Sequence, residues 1–306
     1  MRRCRLGKMI ELQCKEIVGS EAGPHLLITG GVHGDEFESM VAIRRLIREV
    51  APAQLRGRLT LVPVVNEAAY LRGTRTADDM LDLARTCPGR ADGSVTEQTA
   101  HALSHLIRGA DYYIDLHSGG IIMSVWPMSG YGLHHDPEVL EVQRRMARAF
   151  NLPVIWGTDP NLEGRSMSIA RTANVPAIYT EFLGSGLCAP DGVVAYFEGC
   201  LNVMGELGMI DRPPPQSRVK YVVEDNRENT GHMQICNPSP VTGLFEPHVQ
   251  LGNRIESGQP LGEVSDILGD EVVGVNSRET GFVLTLRTFS RVMKGDTLAV
   301  IVEDSV

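Results

Sequence analysis

The sequence predicts an α/β domain followed by a small all-β domain. Between residues 26 and 208, short apolar runs alternate with segments of helical periodicity, which is typical of a mainly parallel sheet flanked by helices. A proline-rich stretch at residues 211–217 is typical of a stiff linker. Beyond it, short β-like runs are separated by glycines and show no helical periodicity, which favours a small barrel or sandwich. We therefore predict an α/β domain over residues 1–212 and a Gly-rich β domain over residues 218–306.

The strands are predicted from apolar, β-branched runs that end at glycine, proline or a polar residue. One or two strands are expected to open the chain within residues 1–24. The next runs lie at residues 26–28, 58–65, 111–117, 153–156 and 177–181.

The helices are predicted from apolar residues spaced three and four positions apart. These segments lie at residues 41–47, 96–107, 137–150, 166–172 and 193–207. Pro137 stands where proline favours a helix start, and Gly208 stands where glycine favours a helix end. Thr96 is the predicted N-cap of its helix. Residues 72–92 lack this periodicity, so we predict either a functional loop or a surface loop without fixed structure.

The composition is that of an ordinary soluble globular protein. The chain has 306 residues, a formal net charge of -9 and a hydrophobic content of 42%. This acidic balance argues against nucleic acid and against an anionic membrane surface as partners. No stretch is apolar over the length of a membrane span, and residues 1–13 lack the apolar core of a secretory signal. We expect a cytoplasmic protein. The sequence leaves open whether the protein forms a homo-oligomer.

Four polar residues stand at the ends of predicted strands: His33, Asn66, His117 and Glu181. In open α/β sheets, ligands bind beyond the carboxyl ends of the strands. We therefore expect these residues to meet in one crevice, although they are far apart in sequence.

The pattern of histidines and carboxylates favours a zinc site. His33 and Glu36 lie three residues apart in a glycine-rich turn between a strand and a helix, and His117 closes another strand in front of two glycines. Two histidines and one carboxylate leave an open position for water, as in catalytic zinc sites. A lone histidine is more typical of a hydrogen-bonded structural residue, and non-haem iron sites use the same ligand types, usually on a β-barrel. The combination at matched strand ends favours one zinc ion per chain.

Further side chains fit the remaining roles of a hydrolytic site. Glu181 suits a general base, because the apolar residues beside it favour a raised pKa. The alternative is a capping or salt-bridged glutamate. A hydrolase of acylated amino acids also needs one cation at the carbonyl oxygen and another at the substrate carboxylate. For each arginine of the loop, the alternative is an ordinary solvated side chain without a role in the site. The loop at residues 72–92 offers Arg72, Arg75, Arg85 and Arg90.

Five segments carry recognisable motifs: GGVHGDE at 30–36, VNEAAYLRGTR at 65–75, DDMLDLARTCPG at 78–89, IDLHSGG at 114–120 and YTEFLGSG at 179–186. With these motifs the chain resembles the succinylglutamate desuccinylase/aspartoacylase family of zinc deacylases, a branch of the carboxypeptidase-like metallohydrolases. The resemblance covers almost the whole chain, including the β segment after the linker. With its intact GGVHGDE motif and its C-terminal β segment, the chain is most similar to the acetyl-diaminobutyrate deacetylase-like members of the family.

The resemblance implies a carboxypeptidase-like mixed sheet flanked by helices, with a C-terminal all-β domain. Residues 1–212 would then be a zinc-hydrolase catalytic domain. The resemblance also implies that His33, Glu36 and His117 are the zinc ligands and that Glu181 is the catalytic glutamate.

The resemblance also assigns roles to two of the arginines. Arg75 matches the arginine that polarises the scissile carbonyl, and Arg85 matches the arginine that holds the substrate carboxylate. Asn66, at its strand end, is predicted to contact the substrate as well. The family's Asp-Leu-Asn-Arg motif reads Asp82-Leu83-Ala84-Arg85 here, so the asparagine half of the carboxylate clamp is absent.

Three functions compete on this sequence. The first is a zinc amidohydrolase that acts on a small N-acyl amino acid or a related amide through metal-activated water. The second is a zinc carboxypeptidase that acts on peptides with the same fold. The third is a binding module whose β domain carries a cofactor on Lys294, as biotinyl or lipoyl barrels do. Lys294 precedes Gly295-Asp296 as in an ordinary turn, which argues against the third function.

Overall fold

The structure of the protein, a computed structural model, describes residues 10–303. The start of the segment predicted to open the chain, and residues 304–306 of the predicted β domain, lie outside the described residues. The described part is an α/β fold with a mixed sheet flanked by helices and a separate antiparallel sheet. This architecture confirms the predicted fold class.

The α-helices of the described part are α1 (Phe37–Glu49), α2 (Glu67–Arg72), α3 (Val95–Arg108), α4 (Pro137–Phe150), α5 (Ser166–Thr172) and α6 (Pro190–Glu206). The first eight strands are β1 (Lys15–Val18), β2 (Glu21–Thr29), β3 (Arg56–Val62), β4 (Tyr112–Leu116), β5 (Met123–Gly132), β6 (Val154–Thr158), β7 (Ala177–Gly184) and β8 (Tyr221–Glu224). They are followed by β9 (Gly243–Pro247), β10 (Arg254–Ile255), β11 (Pro260–Ser265), β12 (Val272–Asn276), β13 (Gly281–Arg287), β14 (Arg291–Val292) and β15 (Ala299–Val302). Short 3-10 helices lie at Pro52–Gln54, Leu83–Arg85 and Met233–Ile235.

The central sheet has the strand order β1-β3-β2-β4-β7-β5-β13-β10. Strands β3, β2, β4 and β7 run parallel to one another, as the alternation of strands and helices predicts. Antiparallel pairing begins on either side, between β1 and β3 and between β7 and β5. Strands β6 and β15 pair with β5 and β13, and β8 pairs with β6.

Apolar side chains pack on both faces of the central sheet, because successive residues of a strand point to opposite faces. Leu26 and Ile28 belong to the cluster formed with helices α1, α4 and α6. Leu27, between them, belongs to the cluster formed with α3 and α5. The helices therefore cover the sheet from both sides and leave its carboxyl edge for a site.

Strand β5 has no counterpart among the predicted strands. Its sequence, MSVWPMSGYG, contains one proline and two glycines, which are unfavourable inside a strand. The register between β5 and β7 shifts between Val125 and Met128, so Pro127 lies at an irregularity of the ladder. Proline is tolerated there because its missing N–H group removes no regular ladder hydrogen bond.

The prediction of Thr96 as a helix N-cap is wrong. Helix α3 is capped by Ser94, whose side chain accepts a hydrogen bond from the backbone N–H of Glu97 while the Glu97 side chain accepts one from the backbone N–H of Ser94. This reciprocal capping box satisfies two donors that Thr96 would leave free. Thr96 instead donates from its hydroxyl to Asp79 (2.8 Å).

The loop at residues 72–92 packs into the protein rather than lying without fixed structure on its surface. Ala77 and Leu83 are fully buried, and Cys87 is 6% exposed. The 3-10 helix Leu83–Arg85 lies inside the loop. The loop therefore carries its arginines to defined places.

After the linker, the chain forms a four-stranded antiparallel sheet of order β12-β11-β9-β14, as the glycine-separated runs predict. Strand β13 returns to the central sheet and pairs antiparallel with β5, and β8 runs parallel to β6. The division into domains at residues 212 and 218 stays a prediction. Among residues 10–303, no helix has the length and apolar character needed to cross a membrane.

Candidate active site

The parallel register places the ends of three strands at one edge of the central sheet. Strand β2 pairs in register with β4, and β4 pairs in register with β7. The backbone N–H of His117 donates to the carbonyl oxygen of Thr180 (2.9 Å), which sets His117 beside Glu181. His33 follows β2 and lines the same cavity as these two residues, so three of the four expected strand-end residues meet.

A tight turn brings His33 and Glu36 to the same point. Gly31 has a φ of 62°, a conformation that glycine adopts readily and other residues rarely. A Cβ atom on Gly34 would lie 2.1 Å from the carbonyl carbon of Ala69, so a larger residue does not fit there. These two glycines let the turn close tightly enough for the side chains of His33 and Glu36 to touch.

His33, Glu36 and His117 form a group that can hold a metal ion. Their ligand atoms all lie within 4.8 Å of one another. Nδ1 of His33 is 2.6 Å from one carboxylate oxygen of Glu36, and Nδ1 of His117 is 3.0 Å from the other. All three residues are buried. The structure thus brings together the three residues predicted as metal ligands.

The outer nitrogen of each histidine faces a second carboxylate. Nε2 of His33 is 3.1 Å from Asp82, and Nε2 of His117 is 3.1 Å from Asp115. Asp115 in turn accepts a hydrogen bond from the hydroxyl of Thr29 (2.9 Å). Metal-binding histidines typically have such a partner, which fixes the ring and leaves the other nitrogen for the metal.

Asp82 and Asp115 are site residues whose roles were not predicted from the sequence. A signal for Asp115 exists, because it lies two residues before His117 and side chains two apart share one face of an extended chain. Asp82 has no comparable signal, since its approach to His33 depends on the path of the loop at residues 72–92.

Opposite charges hold the group together. Burial raises the pKa of Glu36, but its electrostatic interactions and hydrogen bonds with the rings of His33 and His117 outweigh burial and hold this pKa well below its usual range. Burial lowers the pKa of His117, and the carboxylates of Asp115 and Glu36 outweigh it and hold this pKa well above its usual range. An ionised carboxylate between two imidazoles is a donor set that suits a divalent cation such as zinc.

Glu181 lines the same cavity and is 7% exposed. Its Oε2 atom has no hydrogen-bond partner among the described residues. Burial raises the pKa of Glu181 to about 7, although the charge of His117 opposes this shift. The direction is the one that its apolar flank predicts. A carboxyl group with such a pKa exchanges protons near neutral pH, as a general acid or base must.

A cavity of about 350 Å³ opens in front of these residues, and Arg75 and Arg85 line it. Arg75 donates to Asp82 from Nε (3.2 Å) and Nη2 (2.9 Å). Its Nη1 atom is 3.8 Å from Glu36. Arg75 therefore lies next to the metal-binding group, and Asp82 holds one side of its guanidinium.

Three residues singled out from the sequence lie outside the lining of this cavity. Arg72 pairs with Asp78, and Arg90 lies 3.4 Å from Glu97, so both fit the alternative of ordinary loop arginines. Asn66 caps helix α2, because its side-chain oxygen accepts a hydrogen bond from the first turn of that helix (3.1 Å). A contact between Asn66 and the substrate stays a prediction.

Arg165, just before α5, is a cavity residue that was not predicted from the sequence. Its Nη1 atom donates to the carbonyl oxygen of Gly231 (3.1 Å). Its Nε and Nη2 atoms are buried and have no partner in the described part of the chain. Buried donors without acceptors are uncommon in proteins, and these two face a cavity, so they are candidates for contacting a ligand.

Arg85 shares this end of the cavity with Arg165. Burial and the charge of Arg165 lower the pKa of Arg85 to about 10. Neither arginine forms a salt bridge with another residue of the described chain, whereas Arg75 pairs with Asp82. The end of the cavity lined by Arg85 and Arg165 is therefore positively charged and suits an anion.

Comparison with known proteins finds similarity along nearly the whole chain. A model of the family described as "Succinylglutamate desuccinylase/Aspartoacylase catalytic domain" matches residues 22–206. The chain is 31% identical over 292 residues to an N-alpha-acetyl-L-2,4-diaminobutyric acid deacetylase of Halomonas elongata, covering 94% of this chain and 84% of that protein.

Solved structures of the same fold include two close matches. A succinylglutamate desuccinylase/aspartoacylase from Rhodobacter sphaeroides is 28% identical with a TM-score of 0.86, covering 96% of this chain and 90% of that chain. The product-bound ectoine utilization protein EutE (DoeB) from Ruegeria pomeroyi is 27% identical with a TM-score of 0.86, covering 95% and 89%.

Proposed function

Because the chain belongs to the succinylglutamate desuccinylase/aspartoacylase family, we propose that it is a zinc-dependent amidohydrolase that removes the acyl group from a small N-acyl amino acid or a related amide. One observation carries the proposal. A metal-binding group, a carboxyl group with a raised pKa and arginines without acidic partners line the same cavity. These are the parts that hydrolysis of an anionic amide requires.

His33, Glu36 and His117 would hold the zinc ion, with Asp82 and Asp115 on the outer nitrogens of the histidines. The donor set fits, because two imidazoles and one carboxylate match the ligands of catalytic zinc. When bound, the ion supplies Lewis acidity, which polarises a carbonyl group and lowers the pKa of water.

Glu181 moves the proton in this proposal. Its carboxylate takes a proton from the attacking water and then delivers that proton to the leaving nitrogen. The raised pKa suits both halves of the task, because a group that titrates near pH 7 can accept and release a proton at neutral pH. The Oε2 atom has no hydrogen-bond partner among the described residues, so no side chain competes for this proton.

Arg75 is proposed to bind the carbonyl oxygen as negative charge develops on it. Asp82 holds one side of its guanidinium, and Nη1 lies next to Glu36 of the metal-binding group. A cation fixed at this place interacts more strongly with the transition state than with the ground state, which is the requirement for catalysis.

Arg85 and Arg165 are proposed to bind a carboxylate of the substrate. A carboxylate would satisfy the buried Nε and Nη2 atoms of Arg165 in the bidentate geometry that arginine favours. The relative from Halomonas elongata bears the name of an N-acetylated amino acid deacetylase. N-acetyl amino acids are therefore the first substrates to test.

The size of the cavity supports a small substrate rather than a peptide. Residues from the C-terminal part of the chain, including Gln234, Arg287 and Thr297, also line the cavity and limit it. A volume of about 350 Å³ lies at the small end of ligand cavities and suits an acylated amino acid. The carboxypeptidase alternative requires a groove that admits a longer chain.

The test is hydrolysis of N-acetyl amino acids by metal-free protein with and without added zinc. We expect activity only with zinc, and a higher kcat/KM for substrates with a free carboxylate than for the corresponding amides. Arg90→Ala is a control, since Arg90 lies outside the cavity, and it should retain the wild-type rate. Zinc-independent hydrolysis, or hydrolysis confined to peptides, would contradict the proposal.

A further inference from the structure

We propose that Gln234 is a specificity-determining residue that completes the carboxylate site around Arg85, an inference that rests on the proposed deacylase function. Gln234 lies in the 3-10 helix Met233–Ile235, which belongs to the C-terminal part of the chain. Its side chain lines the cavity together with Ala84 and Arg85. Residues 149 positions apart thus meet at one point of the site.

Neutral acceptors hold the Arg85 guanidinium. Its Nη1 atom donates to the carbonyl oxygen of Ala84 (2.6 Å), and its Nη2 atom donates to Oε1 of Gln234. A guanidinium has five N–H groups, so three remain for a ligand. Because neither acceptor is charged, the positive charge of Arg85 stays available for a carboxylate.

The same hydrogen bond fixes the orientation of the Gln234 amide. Arginine only donates hydrogen bonds, so the amide oxygen of Gln234 must face Arg85. The amide nitrogen of Gln234, bonded to the same carbon as this oxygen, keeps two N–H donors close to the guanidinium. A carboxylate that binds Arg85 therefore finds a neutral donor beside the charged one.

Ala84 explains why this donor comes from a distant segment. Ala84 lines the cavity next to Arg85, and its methyl group carries no hydrogen-bonding atom. Its own loop therefore supplies no amide beside Arg85. The amide of Gln234 supplies the donor that the Ala84 side chain lacks, so we expect the two positions to be coupled in substrate binding.

The test is a double-mutant cycle of Gln234→Ala and Ala84→Asn, followed by steady-state kinetics on an N-acetyl amino acid. Gln234→Ala should raise KM about tenfold, the effect of one hydrogen bond to a charged group, with little change in kcat. Ala84→Asn should recover most of this loss in the Gln234→Ala background and should give a smaller gain in the wild-type background. Recovery by a residue on another loop is a result that a merely structural role of Gln234 would not produce.

A second variant and two controls sharpen the test. Gln234→Glu places a carboxylate against Arg85 and should raise KM more than Gln234→Ala, because it neutralises the cation. Gln250→Ala is the matched control, since Gln250 is an exposed glutamine of the same part of the chain outside the cavity, and its KM should equal the wild-type value. With a substrate whose carboxylate is converted to an amide, wild type and Gln234→Ala should have the same KM.

Calorimetric binding of an N-acetyl amino acid to Glu181→Gln, with and without Gln234→Ala, separates the two proposals. If the wild type hydrolyses no N-acyl amino acid but affinity still falls with Gln234→Ala, the deacylase function fails and the carboxylate site stands. If hydrolysis occurs but neither KM nor affinity responds to Gln234→Ala, the role of Gln234 is overturned. Absence of recovery by Ala84→Asn would overturn the coupling.

Discussion

The two ends of the cavity differ in how far the protein satisfies its own polar groups. We call the end lined by His33, Glu36 and His117 the metal end. There the outer nitrogens of both histidines face carboxylates, and Arg75 is paired with Asp82. We call the end lined by Arg85 and Arg165 the arginine end. There Arg165 keeps two buried nitrogens without a partner in the described chain, and Arg85 donates hydrogen bonds only to uncharged acceptors. Apart from Oε2 of Glu181, which has no partner among the described residues, the first end is preorganised before any substrate arrives. The second end is completed only by a ligand. We therefore expect reactivity to depend on the metal end and substrate choice on the arginine end.

The largest effect is expected from removal of a metal ligand. His117→Ala should lose most bound zinc and nearly all activity, because a site with three protein ligands cannot spare one. His33→Ala and Glu36→Ala should behave in the same way. Metal analysis of the purified variants and an N-acetyl amino acid assay measure both quantities. Full zinc occupancy in any variant would exclude that residue from the ligand set.

Glu181→Gln tests the proton carrier without disturbing the metal. The variant should retain zinc and substrate binding while kcat falls by about 10²–10⁴-fold, since an amide cannot accept the proton. Single-turnover rates and zinc content measured on the same preparation check this. A kcat within a few-fold of the wild-type value would make Glu181 a structural residue.

The same residue should set the acidic limb of the pH profile. Glu181 must be ionised to accept a proton, and burial raises its pKa to about 7, so kcat should fall as the pH drops through this pKa. A bound zinc ion favours the carboxylate, so the limb should lie at or below a pH of about 7. The residual rate of Glu181→Gln should lack this limb, and an unchanged limb would assign it to another group.

Three arginine variants should separate the ends of the cavity kinetically. Arg75→Ala should lower kcat by about 10²–10³-fold, as loss of one donor to a developing oxyanion does. Arg165→Ala and Arg85→Ala should instead raise KM by about 10–100-fold, because a substrate carboxylate keeps its charge throughout the reaction. If all three variants changed the same kinetic parameter by the same factor, the division of roles would be wrong.

An effect on metal affinity alone, of about the same size as the KM effects, is expected from the outer partners of the metal-binding group. Asp115→Asn should weaken zinc binding by about 10–100-fold, because the carboxylate fixes the His117 ring and raises its basicity. Competition with a chelator measures this affinity. Asp92→Asn is a suitable control, since Asp92 is an exposed aspartate, and its zinc affinity should match that of the wild type. Equal zinc affinity in Asp115→Asn and the wild type would remove Asp115 from metal binding.

The metal end was predictable from the sequence because its residues follow strands. His33, His117 and Glu181 come at the ends of apolar runs, and the parallel register of β2, β4 and β7 decides where they meet. Asn66 obeys the same pattern, but its side-chain oxygen caps α2 and it lies outside the lining of the cavity. A strand-end position therefore predicts the neighbourhood of a residue, while local hydrogen bonding decides its use.

The arginine end was predictable only in part. The motif around Arg85 marked that residue, whereas Arg165 meets Gly231 and Gln234 meets Arg85 through contacts between distant segments. No local periodicity encodes such contacts. The strands show the same difference in predictability. The parallel strands could be predicted from their apolar runs, whereas β5 could not, because Pro127 lies at an irregularity in the middle of it.

One edge of β5 is divided between two strands. Residues 128–132 pair with β6, and residues 123–125 pair with β13 from the C-terminal part of the chain. A chain that ended at the linker would leave the backbone N–H and C=O groups of residues 123–125 exposed beside the cavity. Unpaired strand edges are templates for the addition of strands from other molecules, which leads to aggregation. Strand β13, which also contributes Thr285 and Arg287 to the cavity lining, covers this edge, and we expect its pairing to limit self-association through β5.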